Sequence, residues 1–122
     1  MLEKLTRIAR LLDFYGPLLT PKQREWLELH YYHDFSLREI ASASGVSRQA
    51  VHDGIQRAEK LLEGYESKLG FLARYQVEKE KLEEVARSLE FYSQGGGEEL
   101  LRRSIKIVDE LLNLPEGNFG RG

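Results

Sequence analysis

The chain has no cysteine, only three prolines and one methionine, and no long apolar run. Without cysteine there is no disulfide framework, no thiolate metal site and no thiol nucleophile, and a reducing cytoplasm is the natural compartment. No apolar stretch approaches the roughly 18 residues that a membrane span needs. Glu3 and Lys4 in the first turn, then Asp13, interrupt any signal-peptide pattern, so no membrane association is expected. Basic charge is also short: 18 Lys and Arg stand against 20 Asp and Glu, a net charge of −2. Residues 1–70 carry equal numbers of each sign, and the deficit falls in residues 71–122. Dedicated nucleic-acid binders usually display a basic patch, and counterion release from phosphates would contribute little here. Catalytic frames are missing as well. Gly95 to Gly97 are not followed by the Lys-Ser/Thr of a phosphate loop, and Glu83–Glu84 and Glu98–Glu99 read as solvated helix charge. An enzyme is not expected, nor a cofactor or a bound metal.

What is present is helix-forming sequence. Apolar residues make up 41% and charged residues 31%, with turn residues concentrated at a few junctions. This composition fits an all-α protein. The stretch Ser36 to Leu62, SLREIASASGVSRQAVHDGIQRAEKLL, organises the rest. Ser36 and Glu39 spell a capping box, in which each side chain satisfies a backbone N–H at the helix start. Leu37, Ile40 and Ala41 share a helical face, and Gly45 follows where positive φ can end a helix. Val46 is expected to plug the turn and Ser47 to cap the next helix. That helix carries Val51, Ile55, Ala58 and Leu62 at spacings of four, three and four, with Arg48, Gln49, His52 and Asp53 off the stripe. The pattern is a helix-turn-helix (residues 36–62), which places the start of its second helix in a DNA major groove.

The segment GVSRQAVHDGIQRAEKLLEGYE resembles region 4 of bacterial sigma factors, where a similar GVSR-x-x-V opens the recognition helix. Residues 1–70 are closer still to the YlxM family of small bacterial proteins, through LLDFYGPLLTPKQREWLELHYYHDFSLREIA, GVSRQAVHD, the run from Ile55 to Leu62 and YESKLG. That resemblance implies a role in the signal recognition particle pathway, which for the family is inferred chiefly from gene neighbourhood with the particle's GTPase. One departure stands out. Gly54 occupies a place where the sigma-factor helix carries a larger, often basic, side chain, and with Asp53 beside it this argues against tight DNA binding.

Around the motif, a first helix is expected over Leu2 to Phe14 with Leu2, Leu5, Ile8, Ala9 and Leu12 as its stripe. Gly16-Pro17 ends it, and Leu18 and Leu19 are expected to pack beneath the next helix. Thr20-Pro21 signals that helix, which should run to about Tyr32. Its aromatics Trp26, Tyr31 and Tyr32, with Phe35, are assigned to a core in preference to stacking on single-stranded bases. His30, His33 and His52 lack a third ligand and are assigned to surface or turn positions, not to a metal.

The chain therefore divides into a helix-turn-helix domain (1–70), a C-terminal helical extension (71–114) with a hinge at 94–97, and a flexible tail (115–122). The extension should hold two long amphipathic helices. One carries Phe71, Tyr75, Leu82, Val85, Leu89 and Tyr92, with Glu78 breaking the rhythm; the other runs from Glu98 to Asn113 with Leu101, Ile105, Val108 and Leu112 on one face. Such helices pack on the domain, on each other or on a second chain. A homodimer through helix one and this pair is expected.

Two functions follow. One is an accessory protein of the signal recognition particle pathway, holding the particle's RNA or its GTPase. The alternative is a DNA-binding transcriptional regulator unrelated to protein targeting. In either case Arg48, Gln49 and His52 would approach base edges, with Ser47 and Arg57 near phosphates.

Overall fold

The computed structural model describes residues 2–113. The expected stop at Leu114-Pro115 and the expected tail at 115–122 lie outside them. Helix α1 spans Leu2–Tyr15, a short 3-10 turn Gly16–Leu18, α2 Pro21–Leu27, α3 Leu37–Ser44, α4 Arg48–Leu69, α5 Phe71–Ser93 and α6 Glu98–Leu112. The described residues contain no strand, and the fold is all-α. They fall into two compact units, Met1–Leu72 and a second beginning at Ala73.

The helix boundaries in the first unit follow from local chemistry. At Thr20 the hydroxyl accepts the Gln23 N–H at 3.3 Å while the Gln23 side chain accepts the Thr20 N–H at 3.0 Å. Ser36 and Glu39 repeat this at 3.1 and 3.0 Å, and these hydrogen bonds hold the Glu39 carboxyl below its ordinary pKa. Ser47 caps α4 by accepting the Ala50 N–H at 3.0 Å. Gly45 ends α3 at φ 69° and Gly70 ends α4 at φ 65°, conformations that cost a side chain but not glycine.

The core of this unit is closed. Val51, Ile55, Ala58 and Leu62 of α4 are all buried against Ile40 and Ala41 of α3, Trp26 and Leu27 of α2, and α1. On α1 the buried residues are Ile8, Leu11, Leu12 and Tyr15, while Leu2 and Leu5 are exposed. The inward stripe is thus rotated from the expected one, because the aromatic Tyr15 is drawn in at the helix end. Of the aromatics assigned to the core, Trp26 is buried, Tyr31 and Phe35 pack against the core, and Tyr32 is exposed. Leu19 is buried and its neighbour Leu18 is exposed.

Polar contacts far apart in sequence lock the helices together. After Leu27 the backbone widens into one π-helical turn, Glu28–Tyr32. From it the Tyr31 hydroxyl donates to Glu59 on α4 and the Tyr32 hydroxyl donates to Asp13 on α1. Arg7 makes a two-pronged contact with Glu63 at 2.6 and 2.8 Å, which lowers the Glu63 pKa and raises that of Arg7. Tyr15 is the hub of the α4–α5 junction. Its hydroxyl donates to Glu66 at 2.5 Å and accepts the Phe71 N–H at 3.1 Å, and Glu66 also accepts the Leu72 N–H at 3.0 Å. Side chains of α1 and α4 thereby satisfy the first amides of α5, which a helix leaves without internal partners.

The second unit is an antiparallel hairpin of α5 and α6. Lys81 pairs with Glu110 at 2.9 Å and Glu84 with Arg103 at 2.6 Å. Residues 94–97, expected to be a hinge, form a Schellman cap on α5: the Gly96 N–H donates to the Phe91 carbonyl at 2.8 Å and the Gly95 N–H to the Tyr92 carbonyl at 3.1 Å, with Gly95 at φ 96°. Within the hairpin the buried residues are Val85 and Ser88 on α5 and Ser104 and Ile107 on α6. The expected α6 face, Leu101, Ile105, Val108 and Leu112, does not supply them: Ile105, Val108 and Leu112 are exposed. A frame shifted by one residue, Leu100, Ser104, Ile107 and Leu111, faces inward instead. On α5, likewise, Val85 is buried while Leu82, Leu89 and Tyr92 are exposed.

Candidate nucleic-acid interface

The small residues of the motif set its geometry. Ala41 and Val51 are buried where α3 and α4 cross, and the turn between them exposes Gly45 and Ser47. The head of α4 therefore stands clear of the core with its first amides available, apart from the Ala50 N–H taken by Ser47.

Arg48 and Gln49 are exposed in the first turn of α4. The Gln49 amide donates to Asp53 at 2.9 Å, and His52 Nδ1 lies 3.3 Å from the same carboxylate oxygen. Two of the expected base readers are thus tethered to an acidic neighbour within their own helix. Arg48 and Arg57 have no carboxylate within ion-pair range among the described residues. They do not share a face, because nine residues is about two and a half helical turns. Ser47, Arg48, Gln49 and His52 are brought together, and Arg57 is set apart on the opposite flank. Arg38, near the capped start of α3, is a further exposed cation without an ion pair among the described residues. It was legible only as the third residue of the S-L-R-E cap.

Gly54 has a structural reason. A Cβ placed there would lie 2.5 Å from the Trp26 ring, so the indole packs on the bare backbone of α4. Trp26 also donates its Nε1–H to the Ser44 hydroxyl at 3.0 Å, and Lys22 sits 5.0 Å from the ring centroid. The absence of a basic side chain at 54 is the packing requirement of a tryptophan 28 residues earlier in the chain. His30 has a local role, its Nδ1–H donating to the Phe35 carbonyl at 2.8 Å beyond the π-helical turn. No group of three or more His, Cys, Asp or Glu suited to a metal occurs among the described residues.

This arrangement of capped helix, glycine turn and exposed second-helix head coincides with a family match. The family model described as "UPF0122: Putative helix-turn-helix protein, YlxM / p13 like" matches residues 2–95. The chain belongs to the UPF0122 family. A UPF0122 protein of Geobacillus kaustophilus is 46% identical over 112 residues, covering 91% of this chain and 99% of that one. A UPF0122 protein of Symbiobacterium thermophilum is 49% identical over 89 residues, covering 73% and 83%. One of Streptococcus gordonii is 52% identical over 85 residues, covering 70% and 77%. The UPF0122 match takes in the whole helix-turn-helix and α5 and ends at the Schellman turn before α6. Among the described residues, no helix is long and apolar enough to cross a membrane.

Proposed function

We propose that this UPF0122 protein is a cytoplasmic accessory protein of the signal recognition particle pathway, engaging the particle's structured RNA through its helix-turn-helix and the particle's GTPase as protein partner. The observation that carries nucleic-acid binding is the exposed, Ser47-capped head of α4, with Arg48 unpaired in its first turn. The pathway rests on the resemblance to the YlxM family. Arg48, with Arg57 and Arg38 on other flanks, contacts phosphates, and Ser47 stands at the helix end where anions are favoured.

RNA is preferred to duplex DNA because of Asp53. To read a base edge, Gln49 and His52 must first leave its carboxylate, and a carboxylate near the groove repels the phosphates on either side. Recognition of an RNA by shape and backbone does not require them to leave. The second reading, a transcriptional regulator unrelated to targeting, is favoured by one observation: Arg48 and Gln49 stand at the head of α4, where such regulators read guanine and adenine.

The test is a titration of the full chain against the particle's RNA, with and without its GTPase, beside a random duplex, at two salt concentrations. Binding to RNA or particle with a shallow salt slope, and none to duplex, is expected. Steep salt dependence on duplex alone would overturn the pathway reading in favour of the regulator. Arg48→Ala with Gln49→Ala is expected to abolish binding without changing helicity, and unchanged binding would remove the site assignment.

A further inference from the structure

The hairpin of the second unit has two unlike faces, and the apolar one is open. At 100° per residue, Lys81 and Glu84 lie to one side of Val85 on α5, and Leu82 and Leu89 roughly 40–60° to the other. On α6, Arg103 and Glu110 lie to one side of Ile107, and Leu101, Val108, Leu112 and Ile105 roughly 100–160° round to the other. The ion pairs Lys81–Glu110 and Glu84–Arg103 join the two charged sides. The apolar stripes therefore lie on the same, opposite side of the hairpin and face one direction, a two-helix surface. Its exposure is high: 55% for Leu82, 43% for Leu89, 61% for Ile105 and 78% for Leu112.

We infer that this surface binds the same surface of a second copy of the chain, giving a four-helix bundle. Three observations select that occupant. The line buried between α5 and α6 holds two serines beside Val85 and Ile107, so the hairpin lacks an enclosed core and needs a second layer. Leu101, Ile105, Val108 and Leu112 repeat at four, three and four, and Leu82 and Leu89 stand seven apart, the spacing of a seam that meets other helices rather than a loop or a flat sheet. The apolar side chains expose on the order of 500 Å², the size of the largest, often functional, patch on a typical monomer and a large part of the ~800 Å² per partner of a standard interface.

Charge is compatible with a two-fold axis. Lys79 and Glu90 are exposed at opposite ends of the Leu82–Leu89 stripe, so antiparallel α5 helices set unlike charges together. Helix α1 is not needed for the contact. It commits Ile8, Leu11, Leu12 and Tyr15 to its own core, with Leu2, Leu5 and Phe14 outside.

Sedimentation equilibrium of the full chain at micromolar concentrations tests this. The expected mass is twice the 14.1 kDa of the chain. Ile105→Glu with Leu112→Glu is expected to weaken association by roughly a hundredfold or more, since two exposed positions become buried charges in the dimer. Leu82→Glu does the same from the other helix, and is decisive should the α6 pair lose helicity. Leu2→Glu with Leu5→Glu leaves the dimer intact. A wild-type monomer throughout the range would overturn the inference. So would a dimer that survives the α5 and α6 changes and is lost with those in α1.

Discussion

The two units solve the same problem in opposite ways. In the first, aliphatic side chains from α1 to α4 meet inside, and carboxylates as far as 56 residues along the chain bind the tyrosines and arginine around them. In the second, two serines share the inside with Val85 and Ile107, and leucines stand outside. Helix-forming sequence with an apolar stripe is common to both. What differs is the number of layers available to close over the stripe, four helices in one case and two in the other. Stability in the isolated chain should therefore reside in the first unit.

Paired truncations give the largest test of that contrast. Leu62, fully buried in the first unit, is expected to cost about 2–5 kcal/mol when changed to Ala. Ile107→Ala in the hairpin should cost less than about 2 kcal/mol in the monomer, since little core surrounds the space it leaves. The single tryptophan, Trp26, lies in the core of the first unit, so its fluorescence follows that unit while circular dichroism follows both. The two signals should separate in urea for the Ile107 variant. If Ile107→Ala moves the Trp26 transition as far as Leu62→Ala does, the contrast fails.

Tyr15→Phe comes next. It removes a donor to Glu66 and the acceptor of the Phe71 N–H, with an expected cost of about 1–3 kcal/mol. The same hydroxyl gives the first unit an alkaline limit. Burial, then the hydrogen bond to Glu66, pushes its pKa from 10.0 to about 12. The folded form keeps a proton that the unfolded chain releases, so the contribution is complete below pH 10 and is lost between 10 and about 12. Tyr31 and Tyr32, raised by burial and by Glu59 and Asp13, act in the same direction. Unfolding followed by circular dichroism against pH should show this loss in the wild type, with a smaller dependence in Tyr15→Phe. Gly54→Ala follows in size. Its methyl group meets the Trp26 ring, and overpacking of about 1–3 kcal/mol is partly offset by the ~1 kcal/mol that alanine gains over glycine in a helix. A more stable Gly54→Ala would mean that the indole has room to move.

These contacts divide along a physical line between what the sequence made legible and what it did not. Caps are local, and so Ser36 with Glu39, Thr20, Ser47 and the terminating Gly45 and Gly70 could be read from spacing alone. The α4 stripe was legible because its four apolar residues have no competing frame. On α6 two frames one residue apart satisfy the same rhythm, and the more apolar of them faces outward, so counting hydrophobic residues selects the wrong inner face. On α1 the stripe turned for another reason, the burial of Tyr15 at the helix end. Nothing local announces that Trp26 needs glycine at 54 or that Tyr15 reaches Glu66, because the pairing depends on how the helices cross. At the candidate site, the exposed head of α4 was legible, and the tether of Gln49 and His52 to Asp53 was not.

That tether gives the smallest expected change in stability and the sharpest test of the site. In the first unit carboxylates are held by neighbours, and Asp53 extends the habit onto the helix that would meet nucleic acid. Asp53→Ala frees Gln49 and His52 and removes a negative charge from the groove side. Its effect on folding should stay within about 0.5 kcal/mol, as for an exposed substitution. Its effect on binding should be larger. Relief of a repulsion on the order of 1 kcal/mol predicts roughly fivefold tighter binding to random duplex DNA, with RNA binding less affected. If duplex binding improves and RNA binding does not, the carboxylate is what turns this helix-turn-helix away from DNA. If neither changes, the equal numbers of acidic and basic residues in residues 1–70, and not one side chain, set the preference.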